Sequence, residues 1–329
     1  MTKVVGLMIA RDEELCAGMT VESAAPIIDE LVFVDNASKD KTVQVVQQKC
    51  KELNIPCFTY HEDLNNTVAR LRQKCLDYGR LRHPTHFFTC DGDMVFTNTK
   101  EIRDLAEKGQ YDAYWFRTLN LYGDMKSKRI GGMNIPHVWL FRNKNGISGG
   151  ANYQFLPQTH KSDPNKERFI GWNLNGIKWF DHIFWRFQIW YMRAWNAGHG
   201  TNLGVDEWTR LYFNKEPSDK YKKTYVLNRM RGQCLEVKAT AAVFKCTEAE
   251  FIKKYMNYPP LLGDWNCPFE LIFDEEGKVC GRKPDLVDIP VLDNEHIWSL
   301  KKNVMDAFRK RKYQPPKFYD YWGGYTSRE

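Results

Sequence analysis

Along the first 120 residues, short continuous apolar runs alternate with segments of helical period. Residues 4–9 and 31–34 are runs of the first kind, and 57–60 and 86–90 repeat the pattern, so four strands are expected there. The stretch that begins near Thr42 and the stretch 67–78 have helical spacing, with Ser38 or Asp40 available to cap the former. Alternation of this kind predicts an α/β fold, a mainly parallel sheet with helices on both faces. Two of the strands end in acidic residues, Asp35 and Asp91. The carboxyl ends of strands are where open α/β sheets bind ligands.

The pattern changes after Gly109. Residues 113–119 and 137–142 read as longer, more aromatic strands, separated by a loop holding Lys126, Lys128, Arg129, Gly131 and Gly132. Residues 144–176 are rich in Gly, Asn and Pro and are expected to be loops near a site. Residues 183–197 form a dense aromatic and basic segment of helical character, and beyond about residue 210 the periodicity weakens while basic tracts accumulate. The division this suggests is a βαβ half over 1–110, a mixed α+β half of the same domain over 111–210, and a basic, aromatic carboxyl-terminal extension over 211–329.

Composition adds limits to this picture. The 329 residues are 43% apolar, enough for a sizeable core. The longest apolar runs stay well short of the roughly 20 residues a membrane span requires. Arg11, Asp12, Glu13 and Glu14 follow the first apolar stretch at once, so the amino terminus reads as the first strand rather than as a leader. The nine cysteines are scattered and contain no C-x-x-C pair, which favours free thiols in a reducing, cytoplasmic setting. The net charge of +7 suits an anionic ligand or partner. At 14%, aromatic residues are plentiful, and flat rings are what sugars and unpaired bases stack on, although most fill the core.

The candidate chemistry lies in two segments. Phe87-Phe88-Thr89-Cys90-Asp91-Gly92-Asp93-Met94-Val95 places one carboxylate at a strand end and a second two residues on. Such a pair suits Mn²⁺ or Mg²⁺, which prefer oxygen ligands and keep bound water. A divalent cation held there would offset the charge that accumulates as a diphosphate departs. Val34-Asp35-Asn36-Ala37-Ser38-Lys39-Asp40-Lys41-Thr42 sets a carboxylate before a polar turn whose backbone N–H groups open a helix.

Together with Val5-Gly6-Leu7-Met8-Ile9-Ala10-Arg11-Asp12-Glu13-Glu14, these segments resemble glycosyltransferase family 2, of the Rossmann-like GT-A fold. That family shows an apolar strand and a K-N-E-E-like turn, then V-D-x-x-S-x-D-x-T, then D-x-D, and the order and spacing agree over about 100 residues. The resemblance implies a UDP-sugar as donor and inversion at the anomeric carbon. It implies that Ala10 and Glu13 line the nucleoside pocket, that Asp35 holds the uracil or ribose, and that Arg70 lies near the diphosphate. Asp91 and Asp93 would surround the metal, Asp93 more directly. Val138-Trp139-Leu140-Phe141-Arg142-Asn143-Lys144-Asn145-Gly146-Ile147 is similar to the R-L-F-R-x-x-x-G-I stretch of one branch. Where that branch continues with a V-H-E-like triplet, this chain has Asn152-Tyr153-Gln154, which leaves the general base and any third metal ligand open.

An inverting transfer needs a carboxylate to take the proton of the acceptor hydroxyl. Asp206, beside Glu207, resembles the acidic pair that serves relatives. Asp181 is the alternative, with His182 next to it as an imidazole able to bind metal. For the acceptor, basic residues interleaved with aromatics, as in Arg309-Lys310-Arg311-Lys312-Tyr313, suit nucleic acid. The reading placed first is a hydroxylated or hydroxymethylated pyrimidine in bacteriophage DNA, modified in the host cytoplasm. A cell-surface polysaccharide or lipopolysaccharide comes second. Two other classes stay open: a catalytically silent sugar-nucleotide-binding module, and a nucleotidyltransferase, for which the acidic turn after the first strand is the wrong chemistry.

Overall fold

The structure, a computed structural model, describes residues 1–62, 68–127, 129–133, 136–149, 154–155, 160–185, 188, 192 and 218–289. It falls into two compact units. The first comprises Met1–Tyr122, Lys128–Ile177 and Leu235–Cys267, the second Gly123–Ser127, Lys178–Cys234 and Pro268–Glu329.

The first unit is built on one sheet. Its parallel part has the order β3-β2-β1-β4, from β1 (Val4–Ala10), β2 (Glu30–Asp35), β3 (Cys57–His61) and β4 (His86–Thr89). Beyond β4 the sheet continues through β8 (His137–Arg142), β6 (Ala113–Tyr122), β7 (Arg129–Met133) and β12 (Leu235–Glu236), each antiparallel to the one before. A branch leaves this path. β11 (Phe169–Gly176) runs parallel to β6 and antiparallel to β5 (Met94–Phe96). The α/β class expected from the sequence is what the chain adopts, with parallel pairing concentrated in the first four strands.

β1 and β2 are uninterrupted apolar runs because both faces of the sheet are covered. Val4, Met8, Leu31 and Phe33 point into one core with residues of α1 (Ala17–Ala24), α2 (Thr42–Glu52) and α4 (Thr99–Lys108). Val5, Leu7, Val32 and Val34 point into the other, against Leu71, Cys75 and Leu76 of α3 (Val68–Arg80). At about 1.5–3 kcal/mol for a fully buried leucine, Leu71 and Leu76 alone hold α3 firmly to the sheet. α5 (Asp219–Gln233) belongs to the second unit, while α6 (Val237–Val243), α7 (Glu248–Tyr255) and α8 (Pro260–Gly263) belong to the first. The Trp172 indole of β11 donates to the Tyr255 carbonyl at 2.7 Å, tying α7 to the sheet.

Three local expectations are corrected. Residues 144–176 are not all loop: β9 (Ile147–Ser148) pairs with β10 (Gln154–Phe155), and β11 lies inside the main sheet. The glycines there serve close packing, for a Cβ on Gly171, whose φ is +150°, would lie 2.0 Å from the Val95 carbonyl oxygen. The segment expected as a loop between the aromatic strands contains β7, which is paired on both sides. Neither Ser38 nor Asp40 is the N-cap of α2: that position is Lys41, and the Asp40 carboxylate instead accepts the Thr42 N–H at 2.9 Å.

In the second unit, β13 (Glu270–Phe273) and β14 (Val279–Lys283) form a hairpin. Arg282 is fully buried there, its guanidinium donating to both oxygens of Asp285 and to the Lys178 carbonyl, and lying over the Phe269 ring at 4.2 Å.

Candidate functional site

Two turns at the carboxyl edge of the sheet clasp one another. The Asp12 N–H donates to Ser38 Oγ at 3.1 Å, and the Asp12 carboxylate accepts the Lys39 N–H at 2.7 Å. One step on, the Glu14 N–H donates to Asp40 at 3.0 Å, and the Glu14 carboxylate accepts the Lys41 N–H at 3.0 Å. Between them the Glu13 N–H donates to the buried Thr42 hydroxyl at 2.6 Å. Asp12 adopts a left-handed φ of 52°, a conformation aspartate tolerates better than most residues. The acidic turn after β1 and the Ser-x-Asp-x-Thr turn after β2 are therefore two halves of one structure, which explains why their side chains are polar and mostly occupied by backbone.

Asp35 is the residue this clasp presents. It closes β2 in register with Ala10 of β1 on one side and His61 of β3 on the other. Its residue exposure is 3%, and its carboxylate accepts the Ser38 N–H at 3.3 Å from Oδ1 and 3.4 Å from Oδ2. His61 Nδ1 stands 3.3 Å from Oδ2.

The Asp91-Gly92-Asp93 turn packs on the acidic turn. A Cβ at Gly92 would lie 2.7 Å from Ala10 Cβ and 3.2 Å from Glu13 Cγ, so this position needs glycine for space. β11 holds the turn from the other side, the Leu174 N–H donating to the Asp93 carbonyl at 2.7 Å. Asp91 Oδ2 accepts from Nη2 of the buried Arg72 at 2.8 Å. Its other oxygen, Oδ1, is buried without a hydrogen-bond partner. His137, at the start of β8, is close enough to feel both: burial and the Arg72 guanidinium hold its imidazole below the usual histidine range, while Asp91 opposes them. No local pattern in the sequence marks Arg72, His61 or His137, since each is far in the chain from what it faces.

Of the residues expected at the site, Ala10, Glu13, Asp35, Asp91 and Asp93 gather at this edge, all but Asp91 nearly buried. Arg70 is on α3 and exposed, whereas Arg72 of the same helix turns inward to Asp91. Asp181 and His182 belong to the second unit, in a helical stretch over 180–185. Partial loss of solvation raises the Asp181 carboxyl above the usual carboxylate range; Lys222 and Lys223 oppose the shift, and Asp219 and Asp285 add to it. Asp206, with Asn152 and Tyr153, lies outside the described residues.

Among the described residues no three His, Cys, Asp or Glu side chains converge to hold a metal. Asp91 and Asp93 nonetheless offer carboxylate oxygens from one turn, the donor type a hard divalent cation takes, with its remaining positions filled by ligand oxygens and water. The unsatisfied Oδ1 of Asp91 fits that use.

Comparison with known proteins agrees with the resemblance read from the motifs. Residues 7–152 match the family model of glycosyl transferase family 2. Among solved structures, the chain is similar to S. aureus TarS 1-349 in complex with UDP-GlcNAc, at 18% identity over 36% of this chain and 35% of that one, with a TM-score of 0.31. A second structure of TarS 1-349 aligns over 82% of this chain and 94% of that one, at 12% identity and a TM-score of 0.38. Glucosyl-3-phosphoglycerate synthase from Mycobacterium tuberculosis, with Mn²⁺, UDP and phosphoglyceric acid, aligns over 29% and 34% at 15% identity, with a TM-score of 0.22. The chain thus spans about a third of the first TarS chain and of the synthase. No curated protein sequence matches significantly.

Proposed function

We propose, taking the match of residues 7–152 to glycosyl transferase family 2 as premise, that the chain transfers a sugar from a UDP-sugar to a hydroxyl acceptor with a divalent cation. The observation that carries this reading is the packing of the Asp91-Gly92-Asp93 turn on the Ala10–Glu13 turn, with Asp35 in register beside Ala10. Asp35 accepts from the nucleoside, and Ala10 and Glu13 line its pocket. Asp91 and Asp93 hold Mn²⁺ or Mg²⁺, which when bound offsets the charge on the departing diphosphate. Asp206 takes the acceptor proton, with Asp181 as the alternative base; the raised proton affinity of Asp181 is of the kind a general base uses.

For the acceptor we place a hydroxylated or hydroxymethylated pyrimidine in DNA first, on the basic and aromatic composition of the carboxyl-terminal third. Phosphate contacts then fall to Lys301, Lys302 and Arg309–Lys312. In α5, by contrast, Lys222 and Lys223 lie over the rings of Trp185 and Phe180, and Arg231 pairs with Asp274 at 2.8 Å. A saccharide acceptor is favoured by one observation: Trp179, in a T-shaped contact with Phe269 at 4.9 Å, is 45% exposed, and exposed aromatic rings are what sugars stack on. The nine cysteines are all free thiols, which supports action in a reducing compartment.

The test is a panel of UDP-sugars with Mn²⁺, offered unmodified DNA, hydroxymethylcytosine-containing DNA and an oligosaccharide mixture, read by mass spectrometry. Sugar mass on the modified DNA alone is the expected result. Transfer to saccharide alone replaces the acceptor, and no donor turnover in any lane replaces the enzyme with a silent binding module. Asp93→Ala is expected to lower Mn²⁺-supported donor turnover by on the order of 10²–10³-fold with the fold intact. Normal turnover in that variant removes Asp93 from the metal site.

A further inference from the structure

Asp35 and His61 end neighbouring parallel strands at paired positions. Their side chains differ sharply in exposure, 5% for Asp35 and 67% for His61. With Nδ1 at 3.3 Å from Oδ2, the contact is attractive only if Nδ1 carries the hydrogen, because a lone pair there would face a carboxylate. The Ser38 N–H reaches the same carboxylate at 3.3 and 3.4 Å. All three contacts are long against the usual N···O distance of about 2.9–3.0 Å. The carboxylate is thus nearly enclosed yet weakly satisfied. Its two oxygens are also not equivalent: Oδ2 faces two donors and Oδ1 one.

We propose that His61 determines which nucleobase the site accepts, an inference that rests on the nucleotide-sugar reading above. By filling Oδ2 together with the Ser38 N–H, which also takes one site on Oδ1, His61 leaves Asp35 one open acceptor site, on Oδ1. Uracil presents a single N–H between two carbonyl groups, and one open oxygen satisfies it. Guanine presents adjacent N1–H and N2–H donors, a fork that fills both oxygens of a free carboxylate. With Oδ2 taken, one of those donors meets another donor and loses its partner, and a donor left unpaired in a site built for hydrogen bonding is strongly discriminated against. The same imidazole, mostly exposed on an edge strand, contributes little to the core.

The experiment is calorimetric titration of UDP and of GDP into the intact chain in the presence of Mn²⁺, for the natural protein, His61→Ala and His61→Gln. The natural protein is expected to favour UDP over GDP by at least about tenfold. His61→Ala should bring the ratio down by about that factor, chiefly by tighter GDP binding, while His61→Gln, whose amide N–H can reach the same oxygen, keeps it. An unchanged ratio in His61→Ala, or loss of the ratio in both variants, overturns the role of His61 and leaves the UDP-sugar reading standing, whereas a preference for GDP in the natural protein overturns both the role of His61 and UDP as the donor nucleotide. If neither nucleotide binds the natural protein, the nucleotide-sugar reading falls and His61 falls with it.

Discussion

At the scale of single residues, Gly92 carries a sharp constraint. A methyl group there meets Ala10 Cβ, which has no rotamer by which to withdraw. Gly92→Ala is therefore expected to destabilise the protein by about 1–3 kcal/mol in denaturant unfolding and to lower donor turnover; unaltered stability would show that β1 yields more easily than its packing suggests. His86 makes a prediction in pH. Burial, with Arg142 and Arg103 adding and Asp112 opposing, pushes its imidazole down to about 4 from 6.5. The unfolded chain takes up this proton near the ordinary value and the folded chain only near the lower one. Stability from this group is thus complete above the ordinary value and declines as the pH falls towards 4, at up to about 1.4 kcal/mol per pH unit. His86→Asn should flatten the decline between pH 6.5 and 4, read by unfolding midpoints; equal slopes in both proteins contradict it. Asp35, Asp91 and Asp93 were legible in the sequence because each stands at or next to a strand end. Arg72 was not, because nothing local distinguishes it from Arg70 on the same helix: which of the two turns towards Asp91 depends on how α3 lies on β1 and β2.

At the scale of elements, the motifs after β1 and β2 turn out to be one interlocked structure. Read separately, each looks like a capped strand-to-helix turn, and the expectation of Ser38 or Asp40 as cap came from that view. In the fold Ser38 and Asp40 accept from the facing turn, which no local rule could indicate. Thr42→Val tests the clasp. It keeps the shape but removes the acceptor of the Glu13 N–H, at a position with no exposure. The expected cost is about 1–3 kcal/mol in unfolding free energy, and a loss within experimental error would mean that the clasp does not hold the turns together. The first strands were legible because burial on both faces writes itself as continuous apolar runs. β11 was not, because Gly171, needed for approach to Val95, and Gly176, packed against Tyr122, look like loop residues until the partner strands are known. The Thr247–Glu250 capping box that opens α7 is a local signature, but it stands in a stretch of weak periodicity that gives it no helix to open in the sequence alone.

At the scale of the whole molecule, the parallel strands and the D-x-D turn belong to the first unit, while Asp181, His182 and Trp179 belong to the second. The second has its own fastening in Arg282, whose partner Asp285 also accepts the Phe180 N–H at 3.0 Å, beside the stretch that carries Asp181. Arg282→Met strands that carboxylate. Faster hydrogen exchange is expected over 178–185 and 268–286, from a loss on the order of 3–5 kcal/mol, and unchanged protection there would refute the fastening. The edge formed by Asp35, Asp91 and Asp93 is proposed to bind a nucleoside diphosphate through a divalent cation. Titration of UDP with and without Mn²⁺, in the natural protein and in Asp93→Ala, tests it most directly. Mn²⁺ is expected to strengthen UDP binding in the natural protein, and that gain to disappear in the variant. UDP affinity indifferent to Mn²⁺, or a gain that survives in Asp93→Ala, would contradict it.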